Sequence, residues 1–262
     1  MGFFWDPALK LSSGKTITVT GKGSPILFST GLFGTMPKFI YSEFINGLKR
    51  NISVVTIDGF SPISKNDLDE VCATLQVDKI GLLTHSSFVS EILNSDVINS
   101  AVLLDPITLP SISINGLNNP SVNNDYPTLI IKSEKLYDGK RTIPEWQNPD
   151  FNENIIEEII NGVGHPDILD NTWANVAKQT NLWDMAEGKT MKYSDWKLNI
   201  KNSIPSIRRE YRKYLNNKII DFFNENKDYE QPSKLEKMTR IIKKETNINK
   251  AIDIDIDYES DI

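Results

Sequence analysis

The sequence predicts a doubly wound, mostly parallel α/β sheet with helices on both faces, and three features point to it. Short apolar runs alternate along the chain with stretches of helical periodicity, which is the pattern of βαβ units. The stretch Lys79–Asp105 holds one complete unit: an apolar run, a hydroxyl-rich corner, a helical stretch, a second apolar run and an acid. Hydroxyl, acidic and imidazole side chains follow the apolar runs, as expected where the carboxyl edge of a parallel sheet forms a site.

Length, charge and cysteine content exclude several classes of protein. A chain of 262 residues can hold one α/β domain with a full core and a tail. Its net charge of −6 and pI near 5.1 provide no basic field, so no nucleic-acid partner is expected. The one cysteine excludes an internal disulfide, and no signal-like segment is evident, which predicts a cytoplasmic or otherwise intracellular location. No run reaches the ~20 apolar residues of a transmembrane segment.

The first βαβ unit contains a glycine-bearing turn. Apolar runs at Pro25–Ser29 and Ile52–Ile57 predict strands, and Tyr41–Leu48 has helical spacing. The turn Thr30–Gly34 contains two glycines, which allow backbone N–H groups to face a ligand. The Leu32 N–H is therefore a candidate oxyanion donor, while a turn that serves only tight packing stays open as the alternative.

A helix follows the second strand. Ser64 and Asp67 form a capping start, and an apolar stripe lies at i, i+3, i+4 and i+7. This spacing predicts a helix packed on the sheet, with Cys72 as a core thiol rather than a reactive one. The stripe consists of Leu68, Val71, Cys72 and Leu75.

The corner after Ile80–Leu83 is the candidate nucleophile site. A residue at the apex of a strand-to-helix corner is held in a strained conformation with its side chain above the sheet. Ser86 takes that place, and the Ser87 N–H is the second candidate oxyanion donor. The usual motif is Gly-x-Ser-x-Gly, whereas Thr84 and Phe88 stand at the glycine positions here. These two side chains predict an opened turn or a different packing.

Two later strands lead to candidate acids. Ala101–Leu104 ends on Asp105, and Pro127–Lys132 leads into Glu134 and Asp138. The carboxyl ends of parallel strands meet at one edge of the sheet, so each of these carboxylates is a candidate partner for a base.

The candidate base follows the last apolar run. Ile155–Asn161 fits helix or strand and is interpreted as a strand, because it is short, rich in isoleucine and followed by glycines. His165 comes next, whereas the other histidine, His85, would face into the corner beside Ser86. A serine, an acid and a histidine in this chain order are typical of α/β-hydrolases.

An ordered set of segments resembles the α/β-hydrolase fold of the chlorophyllase-like and platelet-activating-factor-acetylhydrolase-like group. The resemblance covers roughly residues 24 to 227 and includes a closing helix, RREYRKYLNNKIIDFF. The other matching segments are PILFSTGLFG, ISVVTIDGF, IGLLTHSS, AVLLDPI, PTLIIKSE and GVGHPDILDN.

The resemblance implies a serine hydrolase. Ser86 would be the nucleophile, His165 the base and Asp105 the acid that orients it. An acid one strand later would be Asp138 or Glu134 instead. The two amides named above would bind the oxyanion, and the substrate would be a small-molecule or lipid-like ester or thioester with an apolar part. No metal and no organic cofactor is called for.

The organisation predicted for the chain is a hydrolase domain over residues 1–230 and a charged tail over 231–262 that is disordered or serves interactions. Residues 171–201 carry three tryptophans and would form either a cap over the site or a surface segment that these rings anchor to the domain. In the helix after Pro205 the apolar positions mark one face, and a basic run is interpreted as the solvated face: Arg208, Arg209, Arg212 and Lys213. The alternative function is a catalytically inactive hydrolase-fold protein with a binding or assembly role, forming homo-oligomers through its termini.

Overall fold

The computed structural model describes residues 9–59, 61–86, 90–106, 126–133, 154–179 and 205–227. They form an eight-stranded sheet in the order β1-β2-β4-β3-β5-β6-β7-β8. The strands are β1 Leu9–Lys10, β2 Thr16–Gly21, β3 Pro25–Ser29, β4 Ser53–Asp58, β5 Ile80–His85, β6 Ile98–Leu104, β7 Thr128–Ser133 and β8 Ile155–Ile160. The helices are α1 Gly31–Gly34, α2 Ser42–Leu48, α3 Lys65–Leu75, α4 Ser90–Leu93, α5 Asn171–Gln179 and α6 Pro205–Asn226.

The six strands from β3 to β8 are parallel, and β1 and β2 are antiparallel to their neighbours. The predicted strand over Ile155–Asn161 is confirmed as β8, paired in parallel with β7. Because the six strands point the same way, their carboxyl ends lie along one edge. The turn after β3 and the corners after β5, β6 and β8 all lie along that edge.

Helices cover both faces of the sheet, which confirms the predicted doubly wound class. The central strands are buried on both faces, and this explains why they are continuous apolar runs rather than alternating ones. One core cluster joins the sheet to α2 and α6 through Phe44, Leu48, Leu215 and Ile219. The other joins it to α3 and α4 through Leu68, Val71, Ile92 and Leu93.

Helix α3 begins as the capping pattern predicts. The Ser64 side chain accepts a hydrogen bond from the Asp67 N–H, and the Asp67 carboxylate accepts one from the Ser64 N–H. Cys72 is buried, as expected, and burial together with the charge of Asp69 raises the pKa of its thiol to about 11. The thiol is therefore a packed core group.

The interpretation of the basic run on α6 as a solvated face is wrong for two of its members. Arg208 is 1% exposed and Arg212 is 3% exposed. Their guanidinium groups turn inward and bond to the segment that follows β8, because acceptors from that segment and from α2 lie against α6. Arg209 and Lys213 are exposed, as predicted.

Some predictions fall largely or wholly outside the described residues. Of the segment 171–201 the structure describes α5, where Trp173 packs edge-on against Phe39 with ring centroids 5.5 Å apart. The tail over 231–262 and residues 180–201 of the predicted cap segment lie outside the described ranges. In the part of the chain that is described, no helix is both long enough and apolar enough to cross a membrane.

Candidate active site

The candidate site lies at the carboxyl edge of the sheet. Ser86 directly follows β5, Asp105 directly follows β6, and His165 lies five residues after the end of β8. Strand pairing places β5 beside β6, while β7 separates β6 from β8. Three residues far apart in the sequence therefore lie at the same edge of the sheet, because their strands are parallel and near neighbours.

Ser86 has the strained backbone expected of a corner residue. Its φ is 68°, in the left-handed region that non-glycine residues seldom adopt. Its N–H donates to the Leu104 carbonyl at 2.9 Å, so the chain leaves the sheet only after this residue. Its side chain is buried, and among the described residues its Oγ has no hydrogen-bond partner.

Thr84 does not open the corner before Ser86. It is buried in β5, which stays paired in register with β6 through His85. The threonine side chain shares a face with Leu82 and packs within the sheet, so a glycine is not needed at this position for the strand to reach the corner. Phe88, at the other glycine position, lies outside the described residues.

Asp105 is held firmly as a hydrogen-bond acceptor. Its own φ is 44°, and its N–H donates to the Ile131 carbonyl at 2.8 Å. One carboxylate oxygen accepts from the Ser133 N–H at 2.5 Å, and the other accepts from the Ser133 hydroxyl at 2.9 Å. The carboxylate is buried, so these bonds and the nearby imidazole compensate its loss of water.

His165 approaches this carboxylate. Its Nδ1 lies 3.4 Å from Oδ2 of Asp105, somewhat longer than the usual N–H···O range of 2.7–3.2 Å. Both side chains are buried, which strengthens their electrostatic interaction relative to water. With Nδ1 turned to the acid, Nε2 is the ring nitrogen left for proton transfer.

The segment that carries His165 is anchored to the end of the fold. Asp167 accepts from the Gly164 N–H at 2.7 Å, which closes a 3₁₀ turn over His165–Ile168. The other Asp167 oxygen accepts from Arg208 Nε at 3.1 Å. Arg212 donates to the Leu169 carbonyl at 2.8 Å. Helix α6 therefore holds both ends of the short turn that places the imidazole.

His85 is an integral part of the site. It is buried between Tyr41, whose hydroxyl lies 2.9 Å from its Nδ1, and His165, whose carbonyl oxygen lies 3.2 Å from its Nε2. The two imidazole rings stack with centroids 4.4 Å apart. Burial, and secondarily the charge of His165, hold the pKa of His85 well below its usual value, so this ring is neutral at neutral pH.

The cluster of His85, Asp105 and His165 also has the donor set of a metal site, with ligand atoms within 4.8 Å of one another. However, both ring nitrogens of His85 are engaged in hydrogen bonds. A nitrogen that carries a proton toward a carbonyl cannot also bind a metal. The geometry therefore favours a hydrogen-bonded cluster over a metal site.

The remaining predicted site residues are described in part or not at all. Leu32 lies in α1, directly after Gly31. Ser87, Glu134 and Asp138 lie outside the described residues, so the second oxyanion donor and the alternative acids stay predictions.

Sequence patterns did not identify three further groups at the site. Tyr41 sits at the start of a helical stretch, where its aromatic ring indicates only core packing. Ser133 ends a buried strand. Arg208 belongs to the basic run of α6 that the sequence pattern indicated to be a solvated face. Of these three groups, Ser133 alone had a sequence signal. It ends β7, which is paired with β6, so its hydroxyl lies at the same edge of the sheet as Asp105.

A groove of about 380 Å³ lies beside the His165 segment, between the end of β8 and α6. Its lining is mainly apolar and aromatic: Ile160, Val163, Ile207, Tyr211 and Tyr214. Burial, together with the charges of Asp105 and Asp167, raises the pKa of Tyr211, so its hydroxyl stays protonated. Asn161, Ser206 and Glu210 complete the lining, so the groove next to the candidate base is mainly apolar and carries one acidic side chain.

Comparisons with known proteins found solved structures that resemble this chain at low sequence identity. No protein-family model matches the chain, and no curated protein matches it. An N-formylmaleamic acid deformylase from Pseudomonas putida is 12% identical, covers 65% of this chain and 99% of its own, and has a TM-score of 0.46. An α/β superfamily hydrolase from Oenococcus oeni is 14% identical, covers 70% of this chain and 100% of its own, and has a TM-score of 0.43. A thermophilic esterase from Thermogutta terrifontis is 13% identical with the same coverage and a TM-score of 0.43.

The sheet itself defines the fold. Six parallel strands carry helices on both faces, and the corners with serine, aspartate and histidine follow one another in chain order at the carboxyl edge. The chlorophyllase-like and platelet-activating-factor-acetylhydrolase-like group stays a prediction. The architecture is the α/β-hydrolase fold.

Proposed function

We propose that this protein is a serine hydrolase that cleaves a carboxylic ester or thioester through an acyl-enzyme. The observation that carries the proposal is the approach of His165 Nδ1 to within 3.4 Å of the Asp105 carboxylate, beside a serine held at φ 68°. A strained serine, a base and an orienting acid at one sheet edge are the parts that acyl transfer needs.

In the proposed reaction, His165 Nε2 removes the proton of the Ser86 hydroxyl as Oγ attacks the substrate carbonyl. Asp105 stabilises the imidazolium that forms, and the Leu32 and Ser87 amides receive the negative oxygen of the tetrahedral intermediate. The imidazolium then gives its proton to the leaving alcohol or thiol. Water then attacks the acyl-enzyme, with His165 again acting as the base. This step releases the carboxylic acid product and restores the Ser86 hydroxyl.

Labelling with a fluorophosphonate probe tests the nucleophile. We expect the natural chain to be labelled and Ser86→Ala to lose labelling and ester hydrolysis, because the attacking oxygen is gone. Circular dichroism and the melting temperature check that the variant is folded.

Ser95→Ala is the matched control for this experiment. Ser95 is buried, and its Oγ likewise has no hydrogen-bond partner among the described residues. It precedes β6 and therefore lies at the opposite edge of the sheet. This control should label like the natural chain, and labelling of Ser86→Ala at the natural rate would overturn the assignment.

A binding or assembly role without catalysis is the second candidate, and one observation favours it. The Ser86 side chain is only 2% exposed, and its Oγ forms no hydrogen bond with the described residues, His165 included. A catalytic role requires this hydrogen bond to form when substrate binds, as catalytic hydrogen bonds often do. The binding role predicts no labelling of either chain and loss of self-association when residues after Glu230 are deleted.

A further inference from the structure

The turn after β3 and the segment after β8 are joined through two side chains, Tyr41 and His85. Tyr41 is fully buried, and its hydroxyl oxygen accepts from the Gly31 N–H at 3.1 Å. Gly31 opens the turn that carries the candidate oxyanion amide. The same hydroxyl lies 2.9 Å from Nδ1 of His85, at the end of β5.

The partners of His85 determine its tautomer. A carbonyl oxygen can only accept a hydrogen bond, so the approach of Nε2 to the His165 carbonyl at 3.2 Å requires the proton on Nε2. In a neutral ring Nδ1 is then an acceptor. The Tyr41 hydroxyl must then be the donor in this pair, because Nδ1 has no proton of its own, while the hydroxyl oxygen accepts from the Gly31 N–H. The other contact of the hydroxyl is Met36 Sδ at 3.9 Å, which is a weak acceptor.

The result is a directional chain of hydrogen bonds across the site. It runs from the Gly31 N–H to the Tyr41 hydroxyl, from that hydroxyl to His85 Nδ1, and from His85 Nε2–H to the His165 carbonyl. Every member is buried, so breaking one bond leaves unsatisfied polar groups that cost about 1–3 kcal/mol each. The stacked His165 ring adds a second contact to His85.

We propose that Tyr41 and His85 form a positioning bridge. The bridge holds the turn Thr30–Gly34, which carries the candidate oxyanion amide, and the segment that carries His165 at a fixed separation around Ser86. The proposal rests on the serine hydrolase function. Neither side chain reacts with substrate. Their effect is geometric, since a displacement of about 1 Å in a catalytic group can lower the rate ~100-fold.

The tautomer of His85 tests the bridge without reference to activity. The chain contains two histidines, so ¹⁵N labelling of the imidazoles gives a spectrum that His85→Gln and His165→Gln assign. We expect a neutral His85 ring with its proton on Nε2 at pH 7. A proton on Nδ1, or a charged ring at pH 7, would overturn the bridge even in an active enzyme.

Kinetics of Tyr41→Phe test its role in catalysis. This variant keeps the ring and removes the hydroxyl that joins Gly31 to His85. We expect kcat for a p-nitrophenyl ester to fall about 10–100-fold with KM within about threefold, because the groups that act in the transition state move while substrate contacts remain. An unchanged kcat would refute the positioning role.

Tyr126→Phe is the matched control. Tyr126 is also fully buried, and within the described ranges its hydroxyl makes one hydrogen bond, to the Leu93 carbonyl, at the amino edge of the sheet. It should lose stability as Tyr41→Phe does but keep kcat, and an equal loss of kcat in both variants would mean that the effect is merely structural. A natural chain without fluorophosphonate labelling would remove the catalytic role together with the proposed function, while the tautomer would still decide whether the bridge exists.

Discussion

At the scale of single residues, the site depends on two strained positions. Ser86 and Asp105 each follow a central strand with positive φ, a conformation that costs of order 1–3 kcal/mol outside glycine. Each is stabilised by its surroundings: the Ser86 N–H bonds to β6, and the Asp105 carboxylate accepts two bonds from Ser133. Strain that is held by buried hydrogen bonds at a sheet edge is the expected state of a preorganised site.

Replacing Asp105 with Asn tests the choice of acid. The carboxamide keeps the shape but removes the charge that stabilises the His165 imidazolium, so we expect kcat to fall on the order of 10²–10⁴-fold. The measurement is ester hydrolysis together with the fluorophosphonate labelling rate. We expect only a small change in KM, because in the proposed mechanism Asp105 acts through His165 and does not contact substrate.

Asp58→Asn is the control for this change. Asp58 ends β4 at the same edge of the sheet, but its partner is Lys38, at 2.8 Å, on a partly exposed surface. It should keep full activity. If Asp105→Asn remained active while Asp138→Asn or Glu134→Gln lost activity, the acid would belong one strand later.

At the scale of elements, α3 shows how a capping pattern is reinforced by tertiary contacts. Asp67 closes the capping box with Ser64 and also pairs with Lys15, which precedes β2. Burial raises the pKa of Asp67, but the bonds from Lys15, Ser13 and Ser64 outweigh burial and lower the pKa to about 2. A local helix start thus fixes the helix to the antiparallel end of the sheet.

The lowered pKa of Asp67 predicts an acid-sensitive contribution to stability. Since the folded pKa lies below the unfolded value near 4, the contribution is present above pH 4 and is lost as the pH falls toward 2. We expect Asp67→Asn to lower the free energy of unfolding by about 3–5 kcal/mol at pH 7, because Lys15 is left buried without its counter-ion. The difference from the natural chain should shrink toward pH 2, as measured by urea unfolding at a series of pH values.

Asp69→Asn on the same helix is the control. Asp69 forms an i,i+4 pair with Lys65 in which both side chains are well exposed. Such pairs contribute about 0.3–0.5 kcal/mol, so this variant should unfold almost like the natural chain. A pH-independent difference between Asp67→Asn and the natural chain would contradict the assignment.

At the scale of the whole molecule, the last described helix is joined to the site. Helix α6 packs on α2 and on one face of the sheet, and its buried arginines hold the turn that carries His165. Arg212 also pairs with Glu43 of α2. One helix therefore connects the hydrophobic core to the candidate base.

Arg208→Met tests this connection. Methionine fills similar volume but leaves Asp167 buried without its cation, so we expect a loss of about 3–5 kcal/mol in the free energy of unfolding. We also expect a lower kcat, because the turn over His165–Ile168 loses an anchor. Urea unfolding and ester hydrolysis are the measurements.

Arg209→Met is the matched control, since Arg209 is the neighbouring arginine on α6 and is exposed. It should leave stability within about 0.5 kcal/mol and activity unchanged. Equal stability of Arg208→Met and Arg209→Met would show that the buried ion pair does not hold the turn.

The sequence by itself determined the fold class, the six parallel strands and the order of the candidate catalytic residues, whereas the antiparallel strands β1 and β2 were not predicted. Apolar runs buried on both faces and helices with one apolar face are local patterns that the final packing did not override. The same reasoning brought Ser86, Asp105 and His165 to one edge, because parallel strands end together.

Only the tertiary structure decided which polar groups meet in the interior. Tyr41 and Arg208 carry no local pattern that distinguishes them from a packed ring or a solvated cation, and Ser133 has only its place at the end of a strand. Their partners lie 44, 28 and 41 residues away along the chain, at His85, Asp105 and Asp167. A buried polar group is stabilised by whichever partner the fold brings to it, and that partner is set by packing rather than by periodicity.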